Sequence, residues 1–300
     1  MKIFVTGATG FIGSAVVPEL IAAGHQVVGL SRSDKGAQSL AAAGAQVLRG
    51  SLEDLTTLQE GAARSDGVIH LAFNHDFSRF KANCEDDRRV IGTLGAALVG
   101  SSRPLLVTSG TAIANTVAGQ PAREDGTTVG SERNPRAASE ESVALVAVKG
   151  VRVSVIRLPQ VHDPVKQGLI TPAIQVYRAR GVCAYVGEGA NRWPAAHVSD
   201  VARLYRLAIE KAEPGAKYHA VAEEGVPMRL IAEAIARRLQ LPARSITQEE
   251  AAAFFGWLAM FAAHDMPASS EQTRKRLGWQ PSGPGLLADL ERLSIDLRAT

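Results

Sequence analysis

The first fourteen residues constrain this chain more than any other stretch. Met1 to Thr6 reads as a short buried strand, and Gly7-Ala-Thr-Gly10-Phe-Ile-Gly13 follows it without a break. A helical pattern then runs from about Ile12 to Ala23. Strand, Gly-x-x-Gly-x-x-Gly and helix in succession make a phosphate cradle. The glycines turn the chain tightly and admit a pyrophosphate to the unpaired N–H groups of the helix start. A glycine triplet alone is only a tight turn; its place between a strand and a helix marks a dinucleotide site.

The end of the second strand, Gln26–Leu30, bears on which dinucleotide. An acidic residue there holds the adenosine ribose hydroxyls and repels a 2′-phosphate. This chain has the small Ser31, then Arg32, with Lys35 close behind. A guanidinium fork suits phosphate, so the expected cofactor is NADP.

Further strands read at Gln46–Arg49, Gly67–Leu71, Pro104–Thr108 and Val151–Leu158. Between them lie a helix capped by Glu53 and Asp54, one long helix from about Asp76 to Gly100, and a helix started by Pro135. This alternation implies a parallel sheet with right-handed crossovers, the α/β, Rossmann-type doubly wound class. Ligands in such sheets bind beyond the C-terminal strand ends, where Ser109 and Thr111 stand. A polar loop spans about Ala114 to Asn134.

At 46% hydrophobic and 21% charged residues, the chain has ample core material, and its net charge of +3 is spread without a basic run. That argues against a nucleic-acid partner. No stretch is apolar for long enough to span a bilayer. Cys84 and Cys183 suggest neither a disulfide framework nor a metal site, and read as thiols of a reducing compartment. The expectation is a cytoplasmic protein with a small-molecule substrate, no metal and no membrane, as a monomer or homodimer.

Four stretches together carry a family resemblance: Thr6-Gly-Ala-Thr-Gly-Phe-Ile-Gly13, Val155-Ile-Arg-Leu-Pro159, Tyr185 to Ala202, and Leu277-Gly-Trp-Gln-Pro281. The chain resembles the extended short-chain dehydrogenase/reductases of the epimerase/dehydratase type. The resemblance implies a dinucleotide domain over residues 1–160. It also implies a smaller substrate-binding lobe over 161–300, with about 195–222 returning to the first domain. By position it assigns Gly7, Thr9, Gly10, Phe11, Ile12 and Gly13 to the pyrophosphate, and Ser31 and Arg32 to the adenosine ribose. Ser51 and Leu52 fall at the adenine, where Ser51 replaces the usual acid. Leu71, Ala72 and Phe73 fall beside the cofactor, and Pro159, Val161 and His162 at the nicotinamide, where His162 replaces a Tyr.

One departure matters for chemistry. The family uses a Tyr and a Lys four residues apart at the start of the helix after the fifth strand. Here Ser131 to Glu140 contains neither, and the tyrosines, at 177, 185, 205 and 218, all lie in the second half. In this the chain resembles the atypical members that keep the fold and lose the pair. Arg136 is expected to contact ribose hydroxyls, but an arginine does not release its proton. Ser109 or Thr111 remains to hold a substrate oxygen. The proton donor is left open among His75, His162, His197 and a bound water.

In the second half, helices read at Thr171–Ala179, Val198–Glu210 (capped by Ser199) and Pro227–Leu239, with strands at Val182–Val186 and Tyr218–Val221. The stripe from Ala251 to Phe261 serves a core, a subunit interface or a pocket. If a pocket, Phe73, Phe77, Trp193 and Trp257 select an apolar or aromatic substrate. A sugar nucleotide wants more phosphate contacts than Asn191 and Arg192 offer. The leading expectation is an NADP-dependent oxidoreductase acting on a small apolar or aromatic carbonyl compound. The alternatives are a non-catalytic NADP-binding sensor and an epimerase or dehydratase.

Overall fold

A computed structural model describes residues 1–114, 117 and 119–294. The first half alternates strictly: β1 (Lys2–Thr6), α1 (Gly13–Ala22), β2 (Gln26–Ser31), α2 (Asp34–Ala42), β3 (Gln46–Arg49), α3 (Leu55–Ala63), β4 (Gly67–His70), α4 (Phe80–Ala96), β5 (Pro104–Gly110), α5 (Ala138–Val148) and β6 (Arg152–Leu158). The second half adds β7 (Gln160–His162), α6 (Ile170–Arg180), β8 (Cys183–Val186), β9 (Arg192–His197), α7 (Val198–Lys211), β10 (Lys217–His219), β11 (Glu223–Pro227), α8 (Met228–Leu239), β12 (Ala243–Ile246), α9 (Gln248–Phe255), α10 (Ala259–Ala262), α11 (Glu271–Leu277) and α12 (Leu286–Glu291).

Seven parallel strands in the order β10-β6-β5-β4-β1-β2-β3 form the main sheet. Strand period two divides its residues between two cores. Ile3, Val5 and Leu106 face one layer with Val16 and Leu20 of α1 and Leu204 of α7. Phe4, Leu105 and Val107 face the other, with Leu58 of α3 and Ile91 of α4. Burial on both faces is why these strands read as continuous apolar runs. The chain returns to this sheet late, through α7 and β10.

The smaller lobe has its own core around Ile170, Tyr177, Trp193, Ile231 and Phe255. It carries the β11-β9-β7 sheet and the β12-β8 pair. Two distant sequence signatures meet on its border. Trp279 Nε1 donates to the Asp200 carbonyl at 2.9 Å, and the Asp200 carboxylate accepts from Ser282 N at 2.9 Å and Gly283 N at 2.8 Å.

Local capping chemistry moved several boundaries. The helix expected from Asp76 begins instead as a 3-10 turn, Phe77–Arg79, because the Asp76 carboxylate accepts from Ser78 N and closes a tight first turn. It ends at Ala96, before the left-handed Gly100. Pro135 likewise opens a 3-10 turn, and the α-helix starts at Ala138. His197, not Ser199, caps α7: its ring nitrogen accepts from Ser199 N. The Ala251–Phe261 stripe is broken at Gly256 (φ +58°), which a side chain would strain. Phe255, Leu258 and Ala262 consequently enter the lobe core, while Trp257 and Met260 are 45% and 68% exposed.

The loop after β5 is anchored to the smaller lobe. Ala122 exchanges backbone bonds with Pro267 and Ser269, and Glu124, 2% exposed, accepts from the Thr273 amide and hydroxyl at 2.8 Å each. Residues 115, 116 and 118 of that loop lie outside the described residues. Cys84 and Cys183 are free and buried. Among the described residues, no helix is long and apolar enough to cross a membrane.

A buried ion pair joins the layers. Arg157, fully buried, makes a two-pronged contact with Glu140 of α5 at 2.7 and 2.8 Å. Its remaining arm lies 3.2 Å from His219 Nε2, while His219 Nδ1 donates to the Ser269 carbonyl. Burial first, then the Arg157 charge, pushes the His219 pKa down to about 4, so its ring is a neutral acceptor. Removing one partner of such a pair leaves a buried charge unmatched. Glu140→Gln is expected to lower unfolding free energy by about 3–5 kcal/mol in chemical denaturation. Arg157→Met combined with Glu140→Leu should recover much of that loss.

Candidate active site

At the exit of β1 the glycine loop passes so close to its neighbours that side chains are excluded. Gly7 has φ +67°, and a Cβ there would lie 2.6 Å from Ala72 N and 2.9 Å from the Leu71 carbonyl carbon. A Cβ on Gly13 would lie 2.1 Å from Gly7 O. Gly10 N bonds back to Gly7 O at 2.9 Å, closing the turn. Among the described residues, the amides of Phe11, Ile12 and Gly13 find no acceptor within the chain. Unpaired donors at a helix start beside a cradle that a side chain would fill fit a dinucleotide diphosphate.

The other residues assigned to the cofactor line neighbouring strand ends. Ser31 is buried at the end of β2, its hydroxyl donating to Ser33 O at 3.0 Å, and Arg32 beside it is exposed. Thr9 packs near Gly36 at the start of α2. Ser51 donates to Glu53 at 2.5 Å, and Leu52 follows it, partly buried. Leu71 and Ala72 leave β4 against Gly7, with Ala72 N 3.4 Å from the Thr6 hydroxyl. Pro159 and Val161 occupy the step from β6 to β7.

A polar chain that sequence reasoning missed runs beneath this edge. The Thr6 hydroxyl meets His70 Nδ1 at 2.6 Å, and His70 Nε2 donates to Asp87 at 2.9 Å. Asp87 also accepts from Arg136 at 2.9 Å and from the Ser139 hydroxyl. Arg136 reaches the Thr108 carbonyl at 2.9 Å, and its guanidinium lies 4.2 Å from the Phe73 ring centre. Tyr205 and Thr108 complete the group, their hydroxyls 2.7 Å apart. Burial opposes ionisation of Asp87, but the Arg136 charge and the His70 and Ser139 hydrogen bonds outweigh it and hold its pKa at about 2. Its members come from strands, α4, the turn before α5, α5 and α7, far apart in the chain, so the network left no periodic signal.

The five candidate residues for the chemistry separate by environment. Ser109 Oγ is buried at the end of β5 without a hydrogen-bond partner among the described residues. Thr111 is spoken for, donating to the Leu158 carbonyl at 3.4 Å. His162 is fully buried, with Nδ1 2.7 Å from Asp289 and Nε2 unpaired, and it meets the His197 ring at 5.8 Å. His197 Nδ1 in turn lies 2.7 Å from the Ser199 hydroxyl. His75 is different, with an edge open to solvent. Crowding by its neighbours, then the Arg136 and Lys166 charges, lowers its pKa below the ordinary histidine value.

Around His75 the aromatic residues form a continuous wall. Its ring meets Phe73 edge-on at 5.2 Å and Phe77 at 6.4 Å. Phe77 stacks on Trp257 at 4.4 Å and 17°, bridging the two lobes, and Trp257 meets Phe261 at 6.5 Å. Trp193 is not part of this wall: it is 1% exposed inside the lobe core, where β9 burial places it. Asn191 and Arg192 are committed to structure, Asn191 to the Ala262 carbonyl and Arg192 to Asp265 at 2.8 and 3.1 Å.

The Asp87 pKa makes a stability prediction. A carboxylate held at about 2, against 3.8 ordinarily, adds stability that is complete above pH 3.8 and lost as pH falls through 2. The contribution is about 2 kcal/mol. Asp87→Asn should therefore flatten the acid limb of unfolding free energy against pH, with the gap to the wild type narrowing between pH 5 and 2.

Comparison with known proteins agrees with this architecture. Residues 3–222 match the model of the NAD dependent epimerase/dehydratase family. An uncharacterized protein of Schizosaccharomyces pombe is 47% identical over 97% of this chain and 98% of its own length. A 2-alkyl-3-oxoalkanoate reductase of Stenotrophomonas maltophilia is 29% identical over 76% of this chain and 73% of that protein. Among solved structures, the dTDP-glucose 4,6-dehydratase of Streptomyces venezuelae with NAD bound superposes with a TM-score of 0.77 at 18% identity, covering 98% and 95% of the two chains. With its glycine cradle at the edge of a seven-stranded parallel sheet, this chain belongs to the NAD dependent epimerase/dehydratase family.

Proposed function

We propose that the chain is an NADP-dependent oxidoreductase that reduces a carbonyl, or a related unsaturated group, on a small apolar or aromatic molecule. The observation that carries this reading is the open histidine beside the glycine cradle, set in an aromatic wall. The likeness to a 2-alkyl-3-oxoalkanoate reductase supports reduction of an apolar ketone. NADP is favoured over NAD by Ser31 and Arg32, since the strand end carries a cation and no carboxylate to repel a 2′-phosphate.

The residues divide the work as follows. The Phe11, Ile12 and Gly13 amides receive the diphosphate, and Ser31, Arg32, Ser51 and Leu52 hold the adenosine end. Leu71, Ala72, Phe73, Pro159 and Val161 border the nicotinamide. Arg136, braced by Asp87 and Thr108, offers its remaining N–H capacity to ribose hydroxyls. Bound NADPH supplies hydride. Phe73, Phe77 and Trp257 line the substrate side with apolar ring surface and exclude water. Ser109 Oγ, buried without a partner, donates to the substrate oxygen. His75 delivers the proton that the reduced oxygen needs, a role its sealed counterpart His162 does not share.

A second reading, a non-catalytic NADP-binding protein, draws on the start of α5. Arg136 is tied to Asp87 and Glu140 to Arg157, so that helix turn has no acid–base residue free. Oxidation of NADPH against apolar ketones, aldehydes and enones separates the two. Turnover supports the reductase; tight NADPH binding with no turnover supports the second reading. A protonated His75 is the donor, and its pKa lies below 6.5, so the rate should rise as pH falls through a value under 6.5. That limb should vanish in His75→Asn. Arg32→Ala should weaken NADPH binding roughly tenfold and leave NADH nearly unchanged.

A further inference from the structure

The turn between β7 and α6 is braced well beyond what a connecting loop needs. The Asp163 carboxylate accepts from Val165 N and Lys166 N at 2.7 Å each, and Asp163 N donates to Lys166 O at 2.9 Å. Gln167, fully buried, donates from its amide side chain to Asp163 O at 2.8 Å, and its backbone N–H donates to the Thr171 hydroxyl at 2.8 Å. Gln160 Oε1 accepts from Leu169 N at 2.8 Å, and Ser294 N donates to Pro164 O at 2.7 Å. The backbone of residues 163–169 is thereby held by the side chains of Asp163, Gln167, Thr171 and Gln160 and by the Ser294 amide.

What this turn presents is Lys166. The residue is exposed, and its ammonium sits over the ring of Phe11 at 5.8 Å from the centre. Phe11 belongs to the glycine loop and carries one of its unpaired amides. Among the described residues, Lys166 is matched with no carboxylate; its ammonium rests against an aromatic face. An unneutralised cation held by a rigid turn against the Phe11 ring puts positive charge beside the residue that opens the run of three free amides. Arg136 does not fill that role, because Asp87 already neutralises it.

We propose that Lys166 binds the diphosphate of the dinucleotide, closing over it from the second lobe while the Phe11–Gly13 amides hold it from below. The assignment rests on the dinucleotide reading given above. Lysine serves here as a flexible point charge, with a stem long enough to leave the Phe11 face for a phosphate oxygen. The contact differs from that of Arg32 in what it recognises: the diphosphate is common to NADP and NAD, so Lys166 adds affinity without choosing between them.

The test is equilibrium titration of the full chain with NADPH, NADH, ADP-ribose and adenosine 2′-monophosphate, by calorimetry. Lys166→Met should raise Kd for NADPH, NADH and ADP-ribose alike, by roughly tenfold or more, and leave adenosine 2′-monophosphate unchanged. Lys166→Arg should retain most of the affinity, and the wild-type advantage over Lys166→Met should shrink as salt rises. Both variants change an exposed side chain, and matching thermal unfolding would establish that they fold. If the wild type binds ADP-ribose and Lys166→Met binds it as tightly, the assignment is overturned while the dinucleotide reading stands. A variant that raises only the KM of a carbonyl substrate overturns it too, by placing Lys166 at the substrate. If the wild type binds neither NADPH nor ADP-ribose, the dinucleotide reading fails and the Lys166 assignment with it.

Discussion

Two backbone contacts at the exit of β1 organise the molecule: Gly7 lies against Ala72, and Gly13 against Gly7 O, both closer than any side chain allows. The first brings the ends of β1 and β4 together, so their side chains pack as one edge. The second sets α1 directly on the loop, at whose junction the amides of Phe11, Ile12 and Gly13 are left free. Everything assigned to the cofactor is placed relative to that edge. The Thr6 hydroxyl extends the constraint inward, since it meets both Ala72 N and His70.

Below the edge, two clusters of buried charge are matched by hydrogen-bonded partners. Asp87 collects His70, Arg136 and Ser139, and Arg157 collects Glu140 and His219. In a low-dielectric interior such groups are tolerated only when each donor and acceptor is met. These networks brace the start of α5 and hold the Arg136 guanidinium over the Phe73 ring. Among the described residues, the polar groups near the strand ends with spare capacity include Ser109 Oγ, His162 Nε2 and the open ring of His75. The proposed chemistry follows from that distribution, with a solvent-facing histidine in place of a helix-borne pair.

Much of the fold was legible because it depends on short-range signals. Doubly buried strands demand apolar runs such as Leu105–Val107, and the crossovers between them demand amphipathic helices. The glycine positions were legible because φ and close approach exclude other residues. Boundaries set by side-chain caps were not: the Asp76 bond to Ser78 N shortened one helix, and His197 took the cap expected of Ser199. The site was legible unevenly. Phe73, Phe77 and Trp257 could be named as aromatic groups, but that Phe77 and Trp257 stack depends on Gly256 turning the chain. Trp193 gave the same signal and is core.

The sequence by itself determined the class of fold, the tight glycine turn after β1 and the family, because each rests on residues adjacent in the chain whose spacing has one physical reading. It also shows that residues 131–140, ahead of and into α5, contain neither a Tyr nor a Lys. Only the tertiary structure decided which of several histidines faces solvent and which is sealed against Asp289. It alone brought Lys166 over Phe11, across 155 positions of chain, and Asp87 under Arg136. Burial, charge pairing and contact between distant segments are properties of packing, and no local pattern encodes them.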